Sequence, residues 1–269
     1  MKKLLLTTSL FLLLCSPAWA DTKTWQGDGT NTNWSTANSW HGTGGDHIKP
    51  VTGDDVVFNN AVNCVVDEAT AALNSFNMTG YTGTLSGTFN ITVTVASGTS
   101  TVLFAGTSPT WSGILLLNPA AGTTINLTMG SLTTAGTIGG ITIAGTTTGM
   151  VNFIDAVTMA ATKTVTLTSG TLHTDGAADV SGLTHSWGLF STGASTKTFN
   201  PGKSTINITG ASTAFNASGA NTTVSANTAT INLNGAGQNF DGGGKAWGGT
   251  VSFASTSGGQ GILGLNTSI

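Results

Sequence analysis

Apolar residues alternate with threonine or asparagine in short phrases along most of the chain. Examples are Thr88–Val95, Thr123–Thr128 and Lys163–Thr168, and glycine, serine or asparagine separates one phrase from the next. Alternation places every second side chain on one face of a strand, so each phrase predicts a strand with one buried apolar face and one uncharged polar face. The pattern predicts an almost entirely β protein.

The phrases recur along the chain at irregular steps. Six apolar pairs mark them: Ile125/Leu127, Ile141/Ile143, Val165/Leu167, Ile206/Ile208, Ile231/Leu233 and Val251/Phe253. The longest step, from Val165 to Ile206, holds a further candidate strand at Lys197–Asn200. Because one coil of a β-solenoid takes about 20–25 residues, we predict a parallel, right-handed β-solenoid. The alternative is a β-sandwich array, which also has short strands and frequent turns.

Helix signals are weak. Only Asp67–Leu73 has a composition that suits one or two helical turns, and the rest lacks the 3.6-residue periodicity of amphipathic helices. We expect helices to contribute little to the fold.

Residues 1–20 have the pattern of a secretory signal peptide. Two lysines precede the apolar run Leu4–Leu14, and small residues follow at Ala18 and Ala20. The run is too short for a membrane span, which needs about 20 residues. A lipoprotein signal would use Cys15, but Leu14 stands where a small residue is needed. We therefore predict cleavage after Ala20 and a secreted or cell-surface protein.

The charge of residues 21–269 narrows the choice of partner. They hold six lysines, no arginine and eleven acidic residues, a net charge of −5. Nucleic-acid binding depends on many Lys or Arg contacts to phosphate, so nucleic acid is not expected as a partner. No later stretch is long and apolar enough for a transmembrane helix.

One cysteine, Cys64, remains after cleavage, so no internal disulfide can form. Cysteine is among the most frequently buried residue types. We interpret Cys64 as a small core residue in a strand, with a reactive thiol as the alternative.

A tryptophan-rich opening carries a resemblance to known proteins. The phrases Trp25–Gly29, Asn33-Trp34, Asn38–Trp40 and Gly53–Phe58, with Pro50, resemble the start of exported β-solenoid surface proteins of the autotransporter-passenger and adhesin-like kind. Later phrases are similar to repeats of bacterial-surface and phage-tail β-solenoids; they are Leu167–Leu172 with Gly176, Lys197–Ile206, and Ile231–Leu233 with Phe240–Gly244.

The resemblance implies a parallel β-solenoid with an adhesive or structural role and no transferable catalytic residues. It divides the chain into a signal peptide (1–20), an N-terminal cap (21–60) and solenoid repeats (61–269). An autotransporter also has a C-terminal membrane barrel, which these phrases do not supply. Since the repeats run to Ile269 without an evident cap, we expect a fragment or an end that a partner covers.

Trp25, Trp34 and Trp40 have two interpretations. Exposed indole rings could stack on sugars, whereas buried ones could close the open end of the solenoid, as repeat arrays require. We favour the cap. Trp111, Trp187 and Trp247 are each followed by Ser or Gly and are predicted to end strands.

Acidic residues near the N-terminus raise the question of a calcium site. Asp46, Asp54 and Asp55, with Asp28 upstream, could supply the oxygen ligands that Ca²⁺ takes. Their spacing matches no calcium-loop or nonapeptide repeat, and Asp is a common turn residue. We predict solvated turn residues and no metal site.

An enzyme of the same fold is the main functional rival. Glycoside cleavage needs two carboxylates across a cleft, and solenoid polysaccharide lyases combine acidic metal ligands with a basic residue. The candidate residues are scattered along the chain; they are Asp155, Asp175, Asp179 and Asp241, with Lys163, Lys197, Lys203 and Lys245.

The four histidines do not have the spacing of a metal-binding motif; they are His41, His47, His173 and His185. No Gly-x-Ser-x-Gly elbow in a strand-to-helix context is present.

Threonine ladders suggest one further class, because rows of Thr-x-Thr on a flat solenoid face can order water in ice-binding proteins. Thr92–Thr94 and Thr164–Thr168 fit locally but do not recur at one fixed interval, which predicts a broken ladder. Threonine is also simply a good residue for an exposed strand.

These observations favour a non-enzymatic adhesin or structural β-solenoid module, outside the cell or at its surface, without cofactor, catalytic residues or metal. Its expected partners are cell-surface glycans or other surface proteins. The alternatives are a carbohydrate-active β-helix enzyme and a phage tail or receptor-binding part.

Overall fold

The computed structural model describes residues 20–104, 110–129, 138–176, 182–211, 214–225 and 227–253, together with the backbone of 262–263. Short strands account for most of the regular structure of these residues. One 3-10 helix, Ala37–Ser39, lies between the first two strands. The strands in chain order are β1 Thr22–Trp25, β2 Trp40–His41, β3 Asp55–Val57, β4 Cys64–Val66, β5 Ala72–Leu73, β6 Ser75–Asn77, β7 Leu85–Gly87, β8 Ile91–Val95, β9 Thr99–Leu103, β10 Ile114–Pro119, β11 Thr124–Thr128, β12 Gly140–Ala144, β13 Met150–Phe153, β14 Thr164–His173, β15 Thr184–Trp187, β16 Leu189–Thr192, β17 Lys197–Asn200, β18 Thr205–Ile208, β19 Phe215–Asn216, β20 Thr222–Val224, β21 Thr230–Leu233, β22 Asn239–Asp241, β23 Thr250–Phe253 and β24 Ile262–Leu263.

The strands stack into three faces that the chain visits in turn. The first face runs β1, β3, β6, β9, β11, β13, the second half of β14, β17 and β20. The second face runs β5, β8, β10, β12, the first half of β14, β16, β19, β22 and β24. The third face holds β4 and β7 near the N-terminus and β15, β18, β21 and β23 further along.

Each coil pairs in parallel with the coil before and after it. The exception among the described strands is β2, which pairs antiparallel with the outer edge of β1. The chain is therefore a parallel β-solenoid, as the alternating phrases predict. The β-sandwich alternative is wrong, because sandwiches are built from antiparallel sheets.

Coil length varies along the solenoid, whereas the strands of successive coils stay paired in parallel, with one register shift between Ile143 and Ala144. On the first face, Asp55 pairs with Ser75, whereas Thr171 pairs with the more distant Thr198. The other two strands of the longer coil, β15 and β16, have four residues each, whereas β4 and β5 of the shorter coil have three and two. The apolar pairs found in the sequence also belong to different faces: Ile125 lies on the first, Ile141 on the second and Ile206 on the third. Their irregular steps therefore mix distances within a coil with distances between coils.

Two smaller sequence expectations have clear outcomes. The predicted strand at Lys197–Asn200 is β17. The predicted helical turns at Asp67–Leu73 are wrong, because that segment is irregular and ends in the short strand β5. Ala72 and Leu73 instead pair in parallel with Thr92 and Val93 of the next coil.

Aromatic side chains fill both ends of the described interior. In the N-terminal stack Trp40 lies between Trp34 and Trp25, and the stack continues through Phe58 to Trp111. The C-terminal stack includes Phe190, Phe215 and Phe240, whose ring centroids are 4.8 and 5.0 Å apart from one coil to the next. Between the stacks the core is aliphatic; its members include Leu115, Leu117, Ile125, Leu127, Ile141 and Ile143. The interior is one continuous hydrophobic column.

Replacing Phe215 with alanine should lower the free energy of unfolding by about 3–5 kcal/mol, because it leaves a cavity between two stacked rings. Chemical denaturation measures the change. Phe89→Ala is the matched control, since the Phe89 side chain is 46% exposed. Its loss should cost less than about 1 kcal/mol. Equal losses for the two variants would contradict a core role for the stacked rings.

Candidate functional site

The outer side of the third face carries two polar rows over four coils. Threonine begins each of the strands β15, β18, β21 and β23, and serine or asparagine follows two positions later. The rows are Thr184, Thr205, Thr230 and Thr250, beside Ser186, Asn207, Asn232 and Ser252. The alternate residues, such as Ile206 and Ile231, point inward and are buried. The polar rows therefore share one outward surface, which we call the threonine–asparagine array.

Backbone geometry sets the spacing of this array. Neighbouring strands lie about 4.8 Å apart, and residues two positions apart on one strand are separated by about 6.6 Å. The register is unbroken through the four strands. Asn232 Nδ2 donates a hydrogen bond of 2.9 Å to Asn207 Oδ1 and so fixes two of the amides. The array is a small regular lattice of hydroxyl and amide groups without charged side chains.

The threonine ladder predicted as broken is the one on the second face. The prediction is confirmed there, since Leu116 lies in register between Thr92 and Thr142. The sequence analysis did not consider the third face, where Thr205 and Thr230 align although more chain separates them than separates the other paired threonines of the array. Turns of different length absorb the difference.

A second polar row lies on the first face. It contains Thr101, Asn126, Asn152, His173 and Asn200 in consecutive register. Asn152 Nδ2 donates to Asn126 Oδ1 over 3.1 Å, and Asn200 Nδ2 lies 3.1 Å from His173 Nδ1. Side-chain amides therefore bridge coils on this face as well.

The three N-terminal tryptophans are buried. Trp25, Trp34 and Trp40 are at most 1% exposed and form a cluster with Phe58. The Trp25 indole donates to the Val62 carbonyl oxygen and the Trp40 indole to that of Trp34. Their rings close the first coil, as the cap interpretation predicts, and present no face to a sugar. Trp111, Trp187 and Trp247 are also buried, and Trp187 ends β15.

Each candidate calcium ligand is hydrogen-bonded within the protein, and the prediction of solvated turn residues is wrong for Asp54, which is 1% exposed. Asp28 caps a turn through the amides of Thr30 and Asn31. Asp55 accepts from Asn74 and Ser75 on the next coil. Asp54 accepts from the backbone amides of Asp21 and Val51, and Asp46 accepts from Lys23. Within the described ranges, no group of three or more His, Cys, Asp or Glu side chains is arranged to hold a metal ion.

A buried lysine organises the cap. Lys23 Nζ lies 2.8 Å from carboxylate oxygens of both Asp21 and Asp46. Burial alone lowers the pKa of Lys23, but the two hydrogen-bonded carboxylates outweigh it and raise the pKa above its ordinary value. The same ammonium holds the pKa of Asp21 well below its usual range. Gly42 lets the loop pass directly over this group, because a Cβ there would overlap with Asp46 Oδ1.

The histidines are in different environments. His41 and His47 pack edge to face, with ring centroids 4.4 Å apart, and His173 lies on the first face. His185 is fully buried on β15. Its Nδ1 accepts from the Val157 amide and its Nε2 lies 2.5 Å from the Thr174 carbonyl oxygen. Burial lowers the pKa of His185 to about 4, so the ring is neutral at neutral pH.

Several of the residues considered for catalysis are held by local contacts, and two of them, Asp241 and Lys197, lie in strands. Asp155 Oδ1 accepts from the Met129 amide, and Asp241 Oδ1 accepts from the Gly243 amide. Asp175 is buried, and Asp179 lies outside the described residues. Lys197 is buried and donates to the carbonyl oxygens of Ser195 and Ala220. Lys245 donates to the Gly243 carbonyl oxygen, Lys203 is exposed and Lys163 is half-buried.

Cys64 is buried in β4, where burial raises the pKa of its thiol. This confirms its interpretation as a core residue. The sequence did not single out Asp54, Lys23 or the threonine–asparagine array as connected features, because their partners lie in other coils.

Fold and surface together define a capped parallel β-solenoid with polar ladders on its outer faces. Comparisons with protein-family models, curated proteins and solved structures found no match. In the part of the chain that the structure describes, no helix is long and apolar enough to cross a membrane.

The buried His185 predicts a loss of stability in acid. Its pKa is lowered from an ordinary value of 6.5 to about 4, so stability is complete above pH 6.5 and is lost as the pH falls toward 4. The difference amounts to about 3 kcal/mol. Denaturation of the wild type and of His185→Phe should give curves that converge over this range.

The control for this prediction is His47→Asn, because His47 lies in the exposed cap loop. That variant should keep the acid dependence of the wild type. An unchanged gap between wild type and His185→Phe from pH 7 to pH 4 would contradict the assignment.

Proposed function

We propose that this chain is an exported, non-enzymatic β-solenoid module that acts as an adhesin or structural part outside the cell or at its surface. Its proposed partner is a neutral surface polysaccharide held on the threonine–asparagine array. The single observation that carries this proposal is the unbroken register of that array over four coils.

The chemistry of the array suits a repeating, hydroxyl-rich polymer. Hydroxyl groups both donate and accept hydrogen bonds, and amides offer both functions on one side chain. A single exchanged hydrogen bond contributes only about 0.5–1.5 kcal/mol, so affinity for such a polymer requires several sites in a row. The array offers eight positions on a backbone that the core already holds rigid, which lowers the entropic cost of binding.

Charge supports a neutral partner. The two rows consist of Thr, Ser and Asn, and the predicted mature chain has no arginine. An acidic polymer would gain from Lys or Arg side chains at the contact surface. The two alternative functions, a carbohydrate-active enzyme and a phage-tail part, stay predictions from the sequence. The following experiment also tests for enzymatic cleavage of polysaccharide.

The test is co-sedimentation of the exported protein with intact bacterial cells and with a panel of insoluble polysaccharides, while the supernatant is assayed for released oligosaccharides. Thr205→Val with Thr230→Val removes two central hydroxyls at nearly constant shape. Losing two hydrogen bonds of about 1 kcal/mol each should weaken binding by roughly 30-fold.

The matched control is Thr142→Val with Thr166→Val, which removes two aligned hydroxyls from the second face. It should bind like the wild type. Equal weakening by both pairs, or binding to none of the surfaces, would contradict the assignment to the third face. Release of oligosaccharides into the supernatant would contradict the adhesin proposal and favour the carbohydrate-active enzyme.

A further inference from the structure

The carboxylate of Asp54 is buried at the start of the first face and is 1% exposed. Its Oδ1 accepts the backbone amide of Asp21 over 2.9 Å, and its Oδ2 accepts that of Val51 over 2.9 Å. A buried carboxylate is costly unless a positive charge or several hydrogen bonds compensate it. Asp54 is therefore a buried anion held by two neutral backbone donors.

The nearby cation is engaged elsewhere. Lys23 Nζ pairs with Asp21 and Asp46, and the third ion pair of the described residues joins Lys49 to Glu68. Asp21, Lys23, Asp46 and Asp54 line one open cavity of about 480 Å³, together with Ile48 and Val51. This wall carries three aspartate side chains and one lysine side chain.

The amide that contacts Asp54 lies at the predicted processing point. The small residues Ala18 and Ala20 place the predicted cut between Ala20 and Asp21. Hydrolysis of that bond adds hydroxide to the Ala20 carbonyl carbon and a proton to the Asp21 nitrogen. The new amine then takes up a second proton from solvent and becomes an ammonium group.

We propose that removal of residues 1–20 creates a counter-ion for Asp54: the α-ammonium group of Asp21 replaces the neutral amide at 2.9 Å and completes a buried ion pair that locks the first coil. This inference rests on the export step of the proposed function and not on polysaccharide binding. The cut adds one positive charge to the cavity wall and ties the residue directly before β1 to the residue directly before β3.

The pair predicts a specific response to alkali. A free α-amine has a pKa of about 7.7–8.0, and a carboxylate partner raises it. Because the folded-state pKa is then the higher one, the stabilisation is complete below about pH 7.7 and is lost as the pH rises through the folded-state value. A folded-state pKa that is higher by about one corresponds to a roughly tenfold change in the folding equilibrium constant.

Other groups that titrate in alkali must be separated from the amine. Burial raises the pKa of the Cys64 thiol, so Cys64 also destabilises the folded state in alkali. The pKa of Lys23 is raised above its ordinary value by its carboxylate partners, and burial raises that of Tyr81. A comparison with Asp54→Asn removes these contributions, because the variant keeps all three groups.

The experiment begins with the full chain expressed with its own leader in an exporting bacterium. Mass spectrometry of the recovered protein identifies its first residue, which should be Asp21. Thermal or chemical unfolding between pH 6.5 and 10 should then show a tenfold loss of the folding equilibrium constant in the wild type beyond the loss in Asp54→Asn. Asp28→Asn is the control, since the Asp28 carboxylate caps an exposed turn and is not part of the cavity wall, and it should keep the wild-type alkaline response.

A second chain covers the case in which Asp54→Asn does not fold. It carries Gly-Ser before Ala20, so Asp21 keeps a neutral amide, and it should lack the extra alkaline response. A recovered protein that still begins at Met1 would overturn the proposal together with the export step, whereas a cut at any bond other than Ala20–Asp21 would overturn the ion pair alone. A first residue of Asp21 with the same alkaline response in wild type, Asp54→Asn and the extended chain would overturn the ion pair alone.

Discussion

The stacking of inward side chains from one coil onto the next is the interaction on which this structure depends. Each strand is too short to be stable alone, and each coil buries its apolar residues only against its neighbours. Stacked pairs such as Phe190 with Phe215, and Phe215 with Phe240, are the most direct examples. Because Cys64 is the one cysteine of the predicted mature chain, no internal disulfide contributes to the stability of the fold.

The end of a solenoid would expose apolar side chains and an unpaired strand edge to solvent. Three features of the N-terminal cap cover this end. The rings of Trp25, Trp34 and Trp40 cover the first coil, and β2 occupies the outer edge of β1 by antiparallel pairing. An edge that is already paired does not recruit another chain. The Lys23 ion pairs with Asp21 and Asp46 then fix the loop above the cap.

The sequence predicted what depends on local pattern and missed what depends on register. Alternation identified the strands and their inward residues, and residue type correctly indicated the burial of Cys64 and of the three N-terminal tryptophans. The threonine–asparagine array was missed because Thr205 and Thr230 come together only after turns of unequal length have closed. The burial of Asp54 was missed for the same reason, since Asp21 and Asp54 are 33 residues apart.

Inward-facing and outward-facing residues of the same strands have different roles in this solenoid. The core residues determine the register of the strands. The outer residues of β15, β18, β21 and β23 are aligned by the same register, although they contribute little buried apolar surface. Side chains such as Thr184 and Thr250 can therefore change with little cost in stability while their spacing stays constant, because the backbone determines that spacing. The chemistry of this outer surface is therefore specified by which groups occupy a lattice of fixed spacing. Its chemistry can vary independently of the column that supports it.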